Sequence, residues 1–402
     1  AGRADSAQSE WRRAVRLRGD FDEGFALIDA LASGRRASDL AEAHAIAGDL
    51  AQQAVLSVPK RVVESNARWA WTLSRLGRAD SAAAVLREHA PDVWRRPAWT
   101  RRALRIQLAA SDLESAWRSA MTLAIRGRGQ DREADSLLVL ATRRLGWSDD
   151  RRAIPLREGV ARALADERLF AEGSGGRVET VRGTDGFPVQ CFTFPARTDN
   201  VRGDAVIMIL SPSDTLRSAE ALVRGFLAAG SPVVLVAPRG SYGSLSPTTL
   251  GPDTWVAREA ELERLTALDV RAVMAALASR AAFKGRAWVV GATGDPSVAA
   301  LRVVEGAREV RALLLVAPHV PVVSVADVRA RLRALGTRTF VQVSPEEPSA
   351  LEVADLLARD TAPGQVRVAD TGNAGRGIAI LGTEARIMPR IVAWLREGAT
   401  SR

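Results

Sequence analysis

Ala287-Trp288-Val289-Val290-Gly291-Ala292-Thr293-Gly294-Asp295-Pro296 is the stretch on which the fold turns. A short apolar run of strand length gives way to two glycines and then to Asp-Pro. Proline is favoured in the first helical turn because its missing N–H is not needed there and its φ is already helical, and Asp295 just before it reads as an N-cap. A buried strand that runs straight into a helix belongs to a sheet covered by helices, and the flanking sequence repeats the unit. Ala205 to Leu210, Val233 to Ala237, Ala312 to Ala317, Thr339 to Val343 and Val366 to Ala369 are apolar runs of strand length. Helical stretches separate them at about Leu216 to Ala229, Trp255 to Ser279, Pro296 to Gly306, Ala326 to Leu335 and Ala350 to Ala358, and Glu384 to Glu397 closes the chain. Continuous apolar strands joined by helices specify a mostly parallel sheet with helices on both faces.

Upstream, a hairpin is expected from Val178 to Val181 and Val189 to Phe194, turning at Gly183-Thr184-Asp185-Gly186, because Asp-Gly suits the tight turn between antiparallel strands. Gly173-Ser174-Gly175-Gly176 ends a different composition. From Ala1 to about Phe170 the chain is rich in Ala, Leu, Arg and Glu and lacks β-branched runs, so it is expected to be all-helical. The expected division is 1–172 helical and 177–402 α/β.

The helical half repeats itself. Gly2-Arg3-Ala4-Asp5-Ser6-Ala7 recurs as Gly77-Arg78-Ala79-Asp80-Ser81-Ala82, with weaker copies at Ser38-Asp39-Leu40-Ala41 and Leu113-Glu114-Ser115-Ala116. The acidic residues step by 34, 41 and 34 positions, and a degenerate copy lies at Gly146 to Ala153. A period of 34 is that of tetratricopeptide repeats, and the segment around Ala67 to Pro91 resembles that family in Trp71, Leu73, Leu76, the turn at Gly77 and the small Ala82. The resemblance implies a curved solenoid whose groove receives other protein subunits.

The α/β half resembles the α/β-hydrolase family from Arg177 to the end. Arg239-Gly240-Ser241-Tyr242-Gly243-Ser244 looks like the Arg-Gly-x-Gly-x-Ser loop after the fourth strand, and Val290-Gly291-Ala292-Thr293-Gly294 lies at the nucleophile elbow. Gly372-Asn373-Ala374-Gly375-Arg376-Gly377 follows the last strand, where the family carries its histidine, and no lid is inserted between the sixth and seventh strands. The resemblance implies three catalytic positions, filled here by Thr293, Glu347 and Arg376. A β-branched threonine is a poor occupant of the left-handed backbone the elbow demands. Arginine stays protonated and cannot take a proton from a hydroxyl. Pro212, in the oxyanion loop Ser211-Pro212-Ser213-Asp214, donates no N–H. Glu347 is expected to pair with Arg376, and His319, after the sixth strand, is read as a structural histidine.

The chain has 402 residues, a net charge of +9 carried mostly by arginine, and one cysteine. A single cysteine excludes an internal disulfide and a cysteine metal cluster, and Cys191, in a strand-like run, reads as a buried inert thiol. No cofactor or metal is expected. The greater share of the positive charge falls in the helical half, where Trp94, Arg95, Arg96, Trp99, Arg101, Arg102 and Arg105 form an arginine–tryptophan run that is the candidate partner-binding surface. Such a run also suits an anionic membrane surface or membrane complex, and no other motif points to nucleic acid. No apolar run is long enough to cross a bilayer. The first residue is Ala1, which fits a cleaved secretory signal, so a soluble protein in the periplasm or another extracytoplasmic space is expected rather than a cytoplasmic one.

These readings lead to the expectation of a non-catalytic pseudoenzyme, an interaction or structural accessory subunit of a larger assembly. Two alternatives stand beside it. One is a divergent esterase or acyl hydrolase using Thr293 or a serine such as Ser211 or Ser244. The other is a small-molecule sensor using the old substrate cleft, with Arg376 as an anion contact.

Overall fold

In the computed structural model of the chain, the described residues are 21–34, 36–57, 62–91, 93, 99–196, 203–246, 248–249, 251, 255, 258–320, 322–359, 361, 365–372 and 375–397. Two compact units emerge: Ala1–Val160 with Asp253–Ala257, and Ala161–Pro252 with Arg258–Arg402.

The first unit is helical. Its elements are α1 (Phe21–Ser33), α2 (Ala37–Ser57), α3 (Val62–Arg75), α4 (Ala79–His89), α5 (Thr100–Ala109), α6 (Leu113–Arg126), α7 (Arg132–Arg144) and the beginning of α8 (Asp150–Gly173). Three turns are built alike. Gly77, Ser111 and Gly146 take left-handed φ values of 77°, 56° and 67°. In each case the next residue reaches back five positions: Arg78 N–H to Leu73 O at 2.9 Å, Asp112 to Gln107 O at 2.8 Å and Trp147 to Thr142 O at 3.0 Å. These bonds satisfy carbonyls at the end of one helix and aim the chain into the next. Ala82 and Ala116 are fully buried, as small residues at a close helix contact should be, whereas Ala41 is exposed and Ala43 is the buried alanine of α2. The first copy of the repeat, residues 2–7, lies outside the described residues.

Of the described residues of the arginine–tryptophan run, Trp99, Arg101 and Arg102 are turned inward and Arg105 is exposed. Trp99 is buried. Arg101 pairs with Asp131 at 2.5 Å and Glu133 at 2.6 Å, Arg105 with Glu133 at 3.1 Å, and Arg102 with Asp29 at 3.2 Å. The Arg102 guanidinium also lies over the rings of Trp99 and Trp71, 4.7 and 5.2 Å from their centroids. Trp94, Arg95 and Arg96 lie outside the described residues.

The second unit is an eight-stranded sheet in the order β1-β2-β4-β3-β5-β6-β7-β8. Its strands are β1 (Arg177–Arg182), β2 (Pro188–Phe194), β3 (Ala205–Ile209), β4 (Val233–Val236), β5 (Trp288–Thr293), β6 (Val310–Val316), β7 (Arg338–Val343) and β8 (Val366–Asp370). β1 pairs antiparallel with β2 and β2 antiparallel with β4; the remaining pairs are parallel. The covering helices are α9 (Glu220–Ala228), α10 (Glu259–Ala278), α11 (Ser297–Gly306), α12 (Val322–Leu335), α13 (Pro348–Ala358) and α14 (Ile387–Glu397). The end of α8 packs with the sheet: Ala171 is in its core, and the Glu167 carboxylate accepts a hydrogen bond from the Gln190 amide at 2.9 Å.

Strands β3 to β7 are buried on nearly every residue, which is why they read as unbroken apolar runs. Phe192, Phe194, Phe340 and Trp394 are fully buried, each worth about 2–3 kcal/mol of apolar transfer. Cys191 is buried as well, and burial pushes its thiol up to about 12. Because β3 and β5 to β8 run parallel, their C-terminal ends meet at one sheet edge, the place where ligands bind in open α/β sheets. Among the described residues, no helix is long and apolar enough to cross a membrane.

Candidate functional site

The loops that leave β3, β5, β6, β7 and β8 at this edge carry Ser211 to Asp214, Gly294-Asp295, Ala317 to His319, Glu346-Glu347 and Arg376-Gly377. Thr293 does not occupy the apex of the strand-to-helix turn. It ends β5 as a fully buried strand residue, and the left-handed conformation passes to Gly294, at φ +60°. Sterics decide this, since a β-branched side chain is crowded at positive φ and glycine is not. The Gly294 carbonyl then gathers three donors: Ser297 N–H at 3.2 Å, the Ser297 hydroxyl at 2.6 Å and His319 N–H at 3.1 Å.

Ser211 stands against that apex. A Cβ placed on Gly294 would lie 3.4 Å from the Ser211 hydroxyl oxygen, so this hydroxyl stands directly beside the strand-to-helix turn. Its backbone is pinned, with Ser211 N–H donating to the Thr293 hydroxyl and to Asp214 Oδ2, each at 2.9 Å, while its own hydroxyl meets that of Ser213 at 2.9 Å. Thr293 donates its hydroxyl proton to the Asp214 carboxylate. Thr293 therefore fastens the β3 loop to the end of β5.

Asp214 is the hub of this fastening. Its Oδ1 accepts the Ile378 N–H at 3.2 Å, and the Tyr242 hydroxyl donates to its carbonyl at 2.6 Å. Burial raises the proton affinity of the Asp214 carboxyl above the ordinary aspartate value, against the pull of the Thr293 hydroxyl and the Ser211 amide. Tyr242 holds a left-handed φ of 49° while making its bond. A β-carbon disfavours that geometry, and the surrounding contacts impose it.

His319 is joined to Asp295, Nδ1 to Oδ1, at 2.5 Å. Both side chains reach solvent, at 50% and 69% relative exposure. Asp295 is thus not the helix cap expected from its sequence position, and α11 begins after Pro296 with no side-chain capping bond. Ala317, at φ 47°, turns the chain after β6 so that His319 lies beside Gly294. An imidazole and a carboxylate in contact supply two of the three parts of a hydroxyl-activating triad.

The expected pairing of Glu347 with Arg376 is corrected. Arg376 faces Glu346 at 3.8 Å, whereas the Glu347 carboxylate accepts the Gly377 N–H at 3.3 Å and is pushed above its usual range by burial. Ser244 is excluded as a nucleophile because its hydroxyl donates to the Ala237 carbonyl and accepts from Gln190 N–H, both at 2.8 Å, in a fully buried position. Arg239, from the loop after β4, is a buried anchor. It makes paired contacts with Asp269 at 2.7 Å and with Asp185 at 2.7 and 2.9 Å. Among the described residues, no group of three or more His, Cys, Asp and Glu is placed to hold a metal.

The strand order and the placement of the loops are those of the α/β-hydrolase fold. No protein-family model and no curated protein matches the sequence. Matching solved structures include the esterase domain of a Rhodothermus marinus protein, at 14% identity over 55% of this chain and 98% of that one, with a TM-score of 0.42. An esterase of Pyrococcus furiosus matches at 13% identity over 55% and 90%, TM-score 0.40. A 2,6-dihydroxy-pseudo-oxynicotine hydrolase matches at 14% identity over 83% and 96%, TM-score 0.44. At such identities the likeness shows the fold alone. The expectation of a non-catalytic chain rested on the want of a base at the strand edge, and it is corrected there: His319, paired with Asp295, stands at that edge.

Proposed function

We propose that the sheet unit is a divergent acyl hydrolase, an esterase in the broad sense, whose working groups surround Gly294. The observation that carries this reading is that the His319–Asp295 contact and the Ser211 hydroxyl both border the Gly294 turn. Ser211 is the nucleophile, because the Thr293 hydroxyl is committed to Asp214 and to the Ser211 amide, whereas the Ser211 hydroxyl, on a residue that is also buried, is bonded among the described residues only within its own loop, to Ser213. His319 takes the hydroxyl proton as the Ser211 oxygen attacks the acyl carbon, and Asp295 holds the ring and offsets its charge. The proton passes to the departing alcohol, leaving a serine ester that water cleaves in the reverse sequence of transfers. Thr293, Asp214 and Tyr242 keep the Ser211 loop in register with the elbow.

Hydrolysis of a short-chain p-nitrophenyl ester by the purified chain tests the reading. Ser211→Ala and His319→Ala are each expected to lower kcat/KM by about 100-fold or more, the scale of losing a nucleophile or general base, while Thr293→Val loses less. Equal turnover in wild type and both alanine variants would refute it.

For the helical unit, we propose a tetratricopeptide-like region that docks partner proteins. The 34-residue step from Asp80 to Glu114 and the three alike turns at Gly77, Ser111 and Gly146 support it. Loss of partner capture when the unit is altered at its exposed Arg105 would support the arginine face as the contact, and unchanged capture would move the contact elsewhere.

A further inference from the structure

The helical unit carries an open cleft of about 500 Å3 lined by Trp117 of α6, Trp147 in the turn before α8, and Asp150, Arg151, Ile154 and Pro155 of α8. Its walls are apolar. The two indoles meet edge to face, with centroids 5.5 Å apart, and the Trp117 N–H is satisfied by the Thr142 hydroxyl at 3.1 Å. Ile154 remains 43% exposed beside them, and Pro155 offers no N–H. Apolar side chains gathered at a concave surface while still wet are the usual lining of a small-ligand site, and the volume falls in the range such sites occupy.

The polar groups at the cleft are one of each sign. The Arg151 guanidinium rests over the Trp147 ring, 5.1 Å from its centroid. Neither Arg151 nor Asp150 has an ion-pair partner among the described residues, whereas the adjacent Arg152 is engaged by Asp135 at 2.9 Å and Asp149 at 3.0 Å. Two unspent opposite charges beside an aromatic wall complement a ligand that carries an anion, a cation and a flat apolar body.

We infer that this cleft binds a free aromatic α-amino acid as its zwitterion. The ring lies against Trp117, Trp147 and Ile154, the carboxylate faces Arg151 and the ammonium faces Asp150. The inference does not rest on the hydrolase reading, since the cleft belongs wholly to the helical unit.

Calorimetric titration of the full chain with L-phenylalanine and L-tryptophan provides the test, with 3-phenylpropionate and phenethylamine as ligands lacking one charge each. The amino acids are expected to bind, and each one-charge analogue to bind at least 10-fold more weakly. Arg151→Gln and Asp150→Asn, both at exposed positions, are expected to weaken amino-acid binding at least 10-fold with unchanged melting temperature, and Ile154→Ser to weaken all the ligands together. Absence of binding by either amino acid, equal binding of the one-charge analogues, or full binding by both charge variants would overturn the inference.

Discussion

Arg239 with its two aspartates and His319 with Asp295 are two charge pairings of the sheet unit that are built in opposite ways. Arg239 is buried at 5% exposure, forks onto both Asp269 and Asp185, and lies over the Phe187 ring at 4.2 Å. Four of its five N–H donors are used, and the contacts join the loop after β4, which carries Arg239, to the hairpin turn and α10. His319 and Asp295 meet through Nδ1 and Oδ1, and both are half or more exposed. A guanidinium held from all sides cannot move a proton; it ties three elements together. An exposed imidazole beside a carboxylate can exchange a proton with what reaches it from solvent, and the pairing contributes little to stability because solvent screens it. The comparison separates residues that build the edge from those proposed to work there.

The largest effect should follow from breaking the buried side. Arg239→Ala leaves two carboxylates without their cation, one of them buried, and is expected to cost about 3–5 kcal/mol in urea unfolding. A loss below about 1 kcal/mol would show that the anchor is dispensable. His319→Ala is expected to do the reverse: unfolding free energy within about 0.5 kcal/mol of wild type, with ester turnover down by about two orders of magnitude.

A smaller and pH-dependent effect is expected at the half-exposed member of the anchor. Hydrogen bonds from Arg239 hold the Asp185 carboxyl below its ordinary range, though burial works against them. A carboxyl whose folded value is depressed contributes stability above its unfolded value, near 4, and loses it as the pH falls through the folded value. Asp185→Asn should therefore destabilise at neutral pH by about 1 kcal/mol, a figure already reduced for solvent screening, and the difference from wild type should vanish toward pH 2. A difference that persists unchanged at low pH would place the effect in packing instead of charge. The smallest change is expected at Arg376→Gln. Its contact with Glu346 is 3.8 Å long and exposed on both sides, so unfolding should shift by less than about 0.5 kcal/mol.

The architecture was largely legible in the residues because burial on both faces writes a strand as a plain apolar run. β2, β3, β4 and β7 fall within one residue of their expected limits, and β5, whose apolar run in the sequence is Ala287 to Val290, extends three residues further, to Thr293. The helix expected from Leu216 begins instead as a short 3-10 turn, Leu216–Ala219, capped by the Thr215 hydroxyl. The site was less legible, for reasons of distance along the chain. Asp295 sits where a helix cap belongs, and only the fold brings His319, 24 positions later, to its carboxylate. Asp214 gave no signal, since its importance lies in joining Thr293 and Ile378, 79 and 164 positions away. The arginine run looked like an uncompensated charge patch because its acidic partners, Asp29, Asp131 and Glu133, lie outside the run. The shift of the left-handed residue to Gly294 did have a signal: a glycine beside a β-branched residue at a strand end is the one that takes positive φ.

Covalent labelling tests the assignment most directly. The wild-type chain treated with a fluorophosphonate should gain one adduct by intact mass, peptide mapping should place it on Ser211, and His319→Ala should slow its formation at least 100-fold. A chain that remains unlabelled, or one labelled equally well after Ser211→Ala, would contradict the assignment.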